Sequence, residues 1–199
     1  MTLLPLAALL VSLFIAMIPS ANGQETHSAT AAPGLWALLK GGGQVLLIRH
    51  GSTDAGAGDP PGFRLDDCST QRNLSAKGRD EARRIAEAFR DRGIPLGDVH
   101  SSQWCRCLET AQLAFGRAEP WPALNLTARD RSQQIEYMQA VRARMTEPPA
   151  RDNTVLVTHQ LNIHALTGIS LEPAEIVVLT PEGDGRFRVA GRISVDALR

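Results

Sequence analysis

Charge of one sign is what this chain most plainly lacks: Lys and Arg number 21, Asp and Glu number 21, and the formal net charge is zero. That balance draws the molecule neither to nucleic acid nor to a membrane surface, so any anion site has to be built locally. Cysteine is scarce, with Cys68, Cys105 and Cys107 the three present. One intramolecular disulfide would leave one thiol over. Cys68 joined to either of the others would tie the loop after the first strand to the helix after the second. Cys105-x-Cys107 has no partnered histidine pair nearby, which argues against zinc, and no other ligand pattern calls for a metal or a cofactor. No GK[ST] follows Gly41-Gly42-Gly43, and these glycines precede a strand, so they read as a flexible turn instead of a phosphate-cradling loop. Internal repeats and low-complexity tracts are also missing, and the 199 residues suit one domain with an adequate core.

No charged side chain occurs before Glu25. Leu3 to Ile18 is almost wholly apolar, Pro19 and Ser20 break the run, and Ala21-Asn22-Gly23 offers small residues before Gln24. Residues 1–23 therefore read as a signal peptide. The competing reading, a retained membrane anchor, meets a segment that carries Pro5 and is short against the roughly 20 apolar residues of a comfortable span. The expectation is export, to the periplasm, with no stable membrane insertion once the leader is removed. Residues 24–43 read as a polar lead-in holding a short helix over Leu35 to Leu39, and residues 44–199 as the folded domain.

The stretch from Gln44 to Gly51, QVLLIRHG, organises that domain. Val45 to Ile48 shows no polar alternation, as in a strand buried on both faces of a parallel sheet, and Arg49 and His50 then stand at its carboxyl end, where open α/β sheets bind ligands. Gly51 lets the chain leave without a Cβ in the pocket. Thr154 to Thr158 is a second buried run, and it ends at His159. Between them, Ser52 to Pro61 is a Gly/Asp/Pro loop, Ser75 caps an amphipathic helix running to Gly93, and the charged residues Arg79 to Glu81 and Arg83-Arg84 read as its solvated face. A short strand ends at Ser101-Ser102, and either serine would cap a helix over Trp104 to Phe115 with Arg106 in or near its first turn. Ile135, Met138, Arg142 and Met145 mark a further helix closed by Pro148-Pro149. Strands follow at Ile176 to Leu179 and at Arg186 to Ile193, the latter alternating like an edge strand.

Arg49, His50, Arg106 and His159 brought to one crevice would gather positive groups with no carboxylate close in sequence to neutralise them. Such a group is tolerable where the site holds an anion. Phosphoryl transfer needs a nucleophile in line with the leaving oxygen and donors around the equatorial oxygens, and the planar fork of arginine matches phosphate.

These residues resemble the histidine phosphatase superfamily, or phosphoglycerate mutase-like fold, in its small first branch. The matching pieces are Arg49-His50-Gly51, Ser101-Ser102 through Arg106 to Glu109-Thr110-Ala111, Val157-Thr158-His159, and Asn73-Leu74-Ser75 with Gly78. The resemblance implies an α/β fold, a three-layer α/β/α sandwich on a mostly parallel sheet. It implies that His50 becomes a phosphohistidine, that Arg49 and Arg106 hold phosphoryl oxygens, and that His159 donates to the transferring group. Gln160 follows His159 where the acid-phosphatase branch carries Asp, so the proton donor is sought elsewhere: Asp130 first, Glu109 second. The activity implied is an exported phosphomonoesterase acting on a small phosphorylated substrate, a phosphosugar or the lipopolysaccharide core, by likeness to periplasmic core heptose phosphatases. Two alternatives stand beside it, a non-catalytic phosphate- or phosphosugar-binding protein and a phosphohistidine-protein phosphatase.

Overall fold

A computed structural model describes residues 33–56, 58–126 and 130–198. The leader over residues 1–23 lies outside them. The sheet grows outward from the two apolar runs. β1 (Val45–Arg49) and β4 (Asn153–Thr158) pair in parallel, with Arg49 opposite Thr158, and all six residues of β4 are buried. β2 (Leu96–Ser101) adds in parallel to β4, and the two-residue β3 (Glu119–Pro120) adds in parallel to β2. On the other side β5 (Ile176–Gly183) runs antiparallel to β1 and β6 (Arg186–Ile193) antiparallel to β5, giving the order β3-β2-β4-β1-β5-β6. The alternating arginines of the last segment do fall on an outermost strand.

Successive side chains of a strand face opposite ways, and both faces of this sheet are apolar. Leu46, Ile48, Val155, Val157, Ile176 and Val178 point into one core, shared with α1 (Pro33–Lys40), α2 (Ala76–Asp91) and α3 (Cys105–Phe115) through Leu39, Ile85, Phe89 and Ala111. Val45, Leu47, Leu156, Val177 and Leu179 point into the other, shared with α4 (Arg131–Thr146) and α5 (Gln160–Thr167) through Val141, Met145 and Ile163. The result is the expected α/β/α sandwich. The described end of the lead-in takes part in it: α1 buries Leu35 and Leu39, and Gly41 to Gly43 turn the chain into β1. Among the described residues no helix is long and apolar enough to cross a membrane.

Two helix readings differ from the outcome. α3 begins after Trp104 without a side-chain cap: Ser101 Oγ donates to the Ser102 carbonyl, and Ser102 Oγ reaches the Trp104 N–H at 3.4 Å but no N–H inside the helix. Glu81 does not belong to a solvated face. It is 3% exposed and accepts both the N–H and the hydroxyl of Ser52, at 2.7 and 2.8 Å. A charged residue beside a helix's apolar stripe looks like surface in sequence, and only the loop folding back to it makes it interior.

Candidate active site

Parallel strands deliver their carboxyl ends to one edge. The register that sets Arg49 against Thr158 and Ser101 against Val157 therefore brings His50, Ser102 and His159 together. The rings of His50 and His159 stand 5.4 Å apart, centroid to centroid, at 69°. Arg106, second residue of α3 and 1% exposed, places Nη2 3.5 Å from His159 Nδ1. His50, His159 and Arg106 are brought together in this way, and Arg49, which directly precedes His50, acts on it by its charge.

Hydrogen bonding fixes the state of His50. Its Nδ1 lies 2.8 Å from the Gly51 carbonyl, which can only accept, so Nδ1 carries the hydrogen and Nε2 keeps its lone pair. Burial, with the charges of Arg106, Arg49 and Arg72, lowers its pKa to about 3. His159 is also held well below its ordinary value, by burial first and then by His50 and the same two arginines, Arg106 and Arg72. Its Nε2 is 2.9 Å from Ser102 Oγ, which in turn donates to Asn125 Oδ1 at 3.2 Å. Beneath the ring lies Cys107, the one free thiol, its Sγ 3.6 Å from His159 Nε2 and its pKa pushed up to about 12 by burial.

Three guanidiniums surround the imidazoles. Arg49 is anchored by donating to the Leu171 carbonyl at 2.7 Å, and burial lowers its pKa. Arg72, which sequence reasoning missed, donates to Thr53 Oγ1 at 2.7 Å, and its charge acts on both histidines. Its one signal in the sequence is its place directly before Asn73-Leu74-Ser75. The Nε–H groups of Arg49, Arg72 and Arg106 are buried and have no hydrogen-bond partner. Buried donors left unpaired are costly, and a ligand that accepts hydrogen bonds, such as a phosphoryl group, would satisfy them.

The expectation that no carboxylate neutralises the cluster is corrected by Asp59. It lies on the loop after β1, 7% exposed at the side chain, and accepts from Arg106 Nη1 at 2.8 Å and Nη2 at 3.2 Å. It also accepts the Arg72 N–H and the Trp104 Nε1–H, each at 3.0 Å. Burial works to raise its carboxyl, and those hydrogen bonds outweigh burial and hold it below its ordinary value. Nothing in a loop of Gly, Asp and Pro says which aspartate turns inward. Of the two carboxylates named from sequence, Glu109 is paired with Arg79, Oε1 to Nε at 2.6 Å, and Asp130 is exposed at the start of α4, where it accepts the Gln133 N–H at 3.0 Å.

The remaining motif residues have mechanical tasks. Thr110 Oγ1 accepts the Gly51 N–H at 3.1 Å and donates to the Arg106 carbonyl at 2.7 Å, coupling the turn after β1 to α3. Gly51 and Gly78 are required by close approach: a Cβ on Gly78 would lie 2.0 Å from the Ser52 oxygen, and one on Gly51 would lie 2.7 Å from the Gly78 oxygen. Ser75 caps α2 by accepting the Gly78 N–H. A disulfide joins Cys68 to Cys105, one of the two pairings the sequence left open. Among the described residues no group of three or more His, Cys, Asp or Glu side chains could hold a metal ion.

Residues 45–137 match the profile of the histidine phosphatase superfamily (branch 1). Comparison with curated proteins finds no match. Solved structures with the same fold include the protein histidine phosphatase SixA complexed with tungstate, 19% identical, TM-score 0.58, over 78% of this chain and 99% of that one. Phosphoserine phosphatase from Entamoeba histolytica with 3-phosphoglyceric acid is 14% identical, TM-score 0.56, over 78% and 99%. The alpha-ribazole phosphatase from Shigella flexneri is 15% identical, TM-score 0.55, over 76% and 96%. Identities this low speak to the fold alone, whereas the profile match takes in the first histidine, both expected arginines and the helices that seat them. Residues 45–137, with Arg49, His50 and Arg106 among them, are thus a histidine phosphatase superfamily (branch 1) region, and the chain has the fold of solved phosphatases.

Proposed function

We propose that the protein hydrolyses a small phosphate monoester through a phosphohistidine on His50. The observation that carries this is the hydrogen-bonded Nδ1 of His50, which leaves a lone pair on Nε2 of an imidazole kept neutral among three buried, unpaired guanidinium Nε–H groups. Nε2 attacks phosphorus as the bond to the ester oxygen breaks, and charge gathering on the three equatorial oxygens is met by Arg49, Arg106 and His159. Ser102 gives its one hydroxyl hydrogen to Asn125, so Nε2–H of His159 donates to Ser102 Oγ, and Nδ1 of that ring, beside Arg106 Nη2, can donate to the phosphoryl group once protonated. The departing alkoxide takes a proton from Asp130, preferred here over Glu109 because Arg79 engages the latter. Water then attacks the phosphohistidine, the N–P bond breaks, its proton returns to the acid, and phosphate leaves.

The substrate is proposed to be a phosphosugar or a phosphorylated lipopolysaccharide core met outside the cytoplasm, a reading supported by the leader-like residues 1–23. A second reading, a phosphohistidine-protein phosphatase, is favoured by the likeness to the protein histidine phosphatase SixA and by the pairing of Glu109, since a phosphoramidate leaves with little acid help. Release of phosphate from p-nitrophenyl phosphate by the wild type and by His50→Ala tests the nucleophile. The variant should lose several powers of ten in rate, on the order seen for other nucleophile removals. Equal rates would overturn the assignment and favour a phosphate-binding protein. In the same assay Asp130→Asn should slow an alkyl phosphate more than the nitrophenyl ester, whose leaving group needs no proton.

A further inference from the structure

The phosphatase reading above leaves Asp59 without a task. We propose that Asp59 is a positioning residue: its carboxylate takes one edge of the Arg106 guanidinium and so presents the other edge, Nε and Nη2, to the phosphoryl group. This rests on the reading of Arg106 as a phosphate donor.

The hydrogens of Arg106 are divided unevenly. Nη1 gives one to Asp59 Oδ1 at 2.8 Å and points a second at the Arg72 carbonyl at 3.2 Å. Nη2 gives one to Asp59 Oδ2 at 3.2 Å and turns its other side toward His159 Nδ1, 3.5 Å away. Nε–H is buried with no partner. The protein thus satisfies the terminal fork and leaves the lateral edge beside the second histidine. A guanidinium is planar, so holding one edge fixes the direction of the other.

Asp59 is itself fully committed. A carboxylate offers about four acceptor positions, and four N–H groups use them, from Arg106 twice, from the Arg72 backbone and from the Trp104 indole. Trp104 also packs edge-on against His159, centroids 5.4 Å apart. The loop carrying Asp59 is fastened to α3 next to Arg106, by the Cys68–Cys105 disulfide and by the Cys105 N–H donating to Gln71 Oε1 at 3.0 Å. A carboxylate that merely offset charge would need none of this alignment.

Negative charge on the far side of Arg106 weakens the site's hold on an anion while it sets the geometry of transfer. Removal should therefore separate turnover from affinity. Asp59→Asn, assayed on p-nitrophenyl phosphate with inorganic phosphate as inhibitor, should lose about tenfold or more in kcat, as expected of a misaligned donor, while the phosphate Ki holds or tightens. A kcat within about twofold of wild type, or a kcat and Ki that worsen together, would overturn the role. If the Asn variant does not fold, Asp59→Glu decides. It keeps the charge and changes the reach, so kcat should fall severalfold at the wild-type Ki, and an undiminished kcat sinks the proposal. His50→Ala runs alongside: undiminished turnover there removes the phosphatase reading and this inference with it, whereas an inactive His50→Ala beside a fully active Asp59→Asn removes the positioning role alone.

Discussion

An imidazole is useful as a nucleophile only while unprotonated, and His50 is kept so by burial and by the arginines around it. Its pKa of about 3, against an ordinary 6.5, means that the unfolded chain binds this proton more tightly than the folded one at every pH between those values. Stability tied to His50 is therefore complete above about 6.5 and is lost as pH falls from there toward about 3, and His159 acts in the same direction. The ring resonance that disappears in His50→Asn should accordingly not titrate in the folded protein between about pH 8 and about pH 5, in contrast to an ordinary histidine. A midpoint near 6.5 in that spectrum would mean that the ring is neither buried nor under the guanidinium charges. At this scale the sequence was half legible. His50, His159, Arg49 and Arg106 stand at strand and helix ends that periodicity can locate. Asp59 and Arg72 lie on a loop, and which loop side chain turns inward depends on contacts between distant segments that no local pattern encodes.

The turn after β1 works as a joint between elements. Its oxygen at Ser52 accepts the Ser75 N–H at 3.0 Å, its Gly51 N–H is held by Thr110 of α3, and its Ser52 N–H is held by Glu81 of α2. Two helices are thereby set against the residue following His50. Gly78→Ala tests the joint, since the added Cβ would meet backbone atoms at 2.0 and 2.8 Å that can yield only if α2 or the turn moves. Overpacking of this kind costs about 1 to 3 kcal/mol, so urea titration should show that loss, with kcat reduced as the turn shifts. Unchanged stability and turnover would show that α2 can slide without disturbing the site. The elements themselves follow from the chain with small differences: unalternating apolar runs gave the buried strands, and Gly93, Gly116 and Gly168 end α2, α3 and α5 in the left-handed region. α4 was read less well, for its Ile135 is half exposed while Val141 and Met145 carry the packing. The helix is amphipathic only in its second half, and a count of apolar spacing over its full length misses that.

The molecule as a whole is held by two cores on a sheet and by one covalent tie. The disulfide spans 37 residues, from the loop after β1 to the start of α3, and encloses all of α2 and β2. Loop-closure entropy for that length is worth about 3 to 4 kcal/mol. Replacing Cys68 and Cys105 together by serine should lower the unfolding free energy by that amount in a denaturant titration, and a loss below about 1 kcal/mol would mean that noncovalent contacts alone hold the loop in the unfolded reference as well. The strand order was legible only in part: parallel neighbours followed from two histidine-ended runs, while the antiparallel β5 and β6 are placed by long-range pairing. Those outer strands also decide how the protein meets its own copies. One border of the sheet is a two-residue strand ending in proline, which has no amide hydrogen to offer; the opposite border bristles with Arg186 and Arg188. Such margins give a neighbouring molecule little on which to extend the ladder, so crowded solutions of this protein should stay clear instead of seeding fibres.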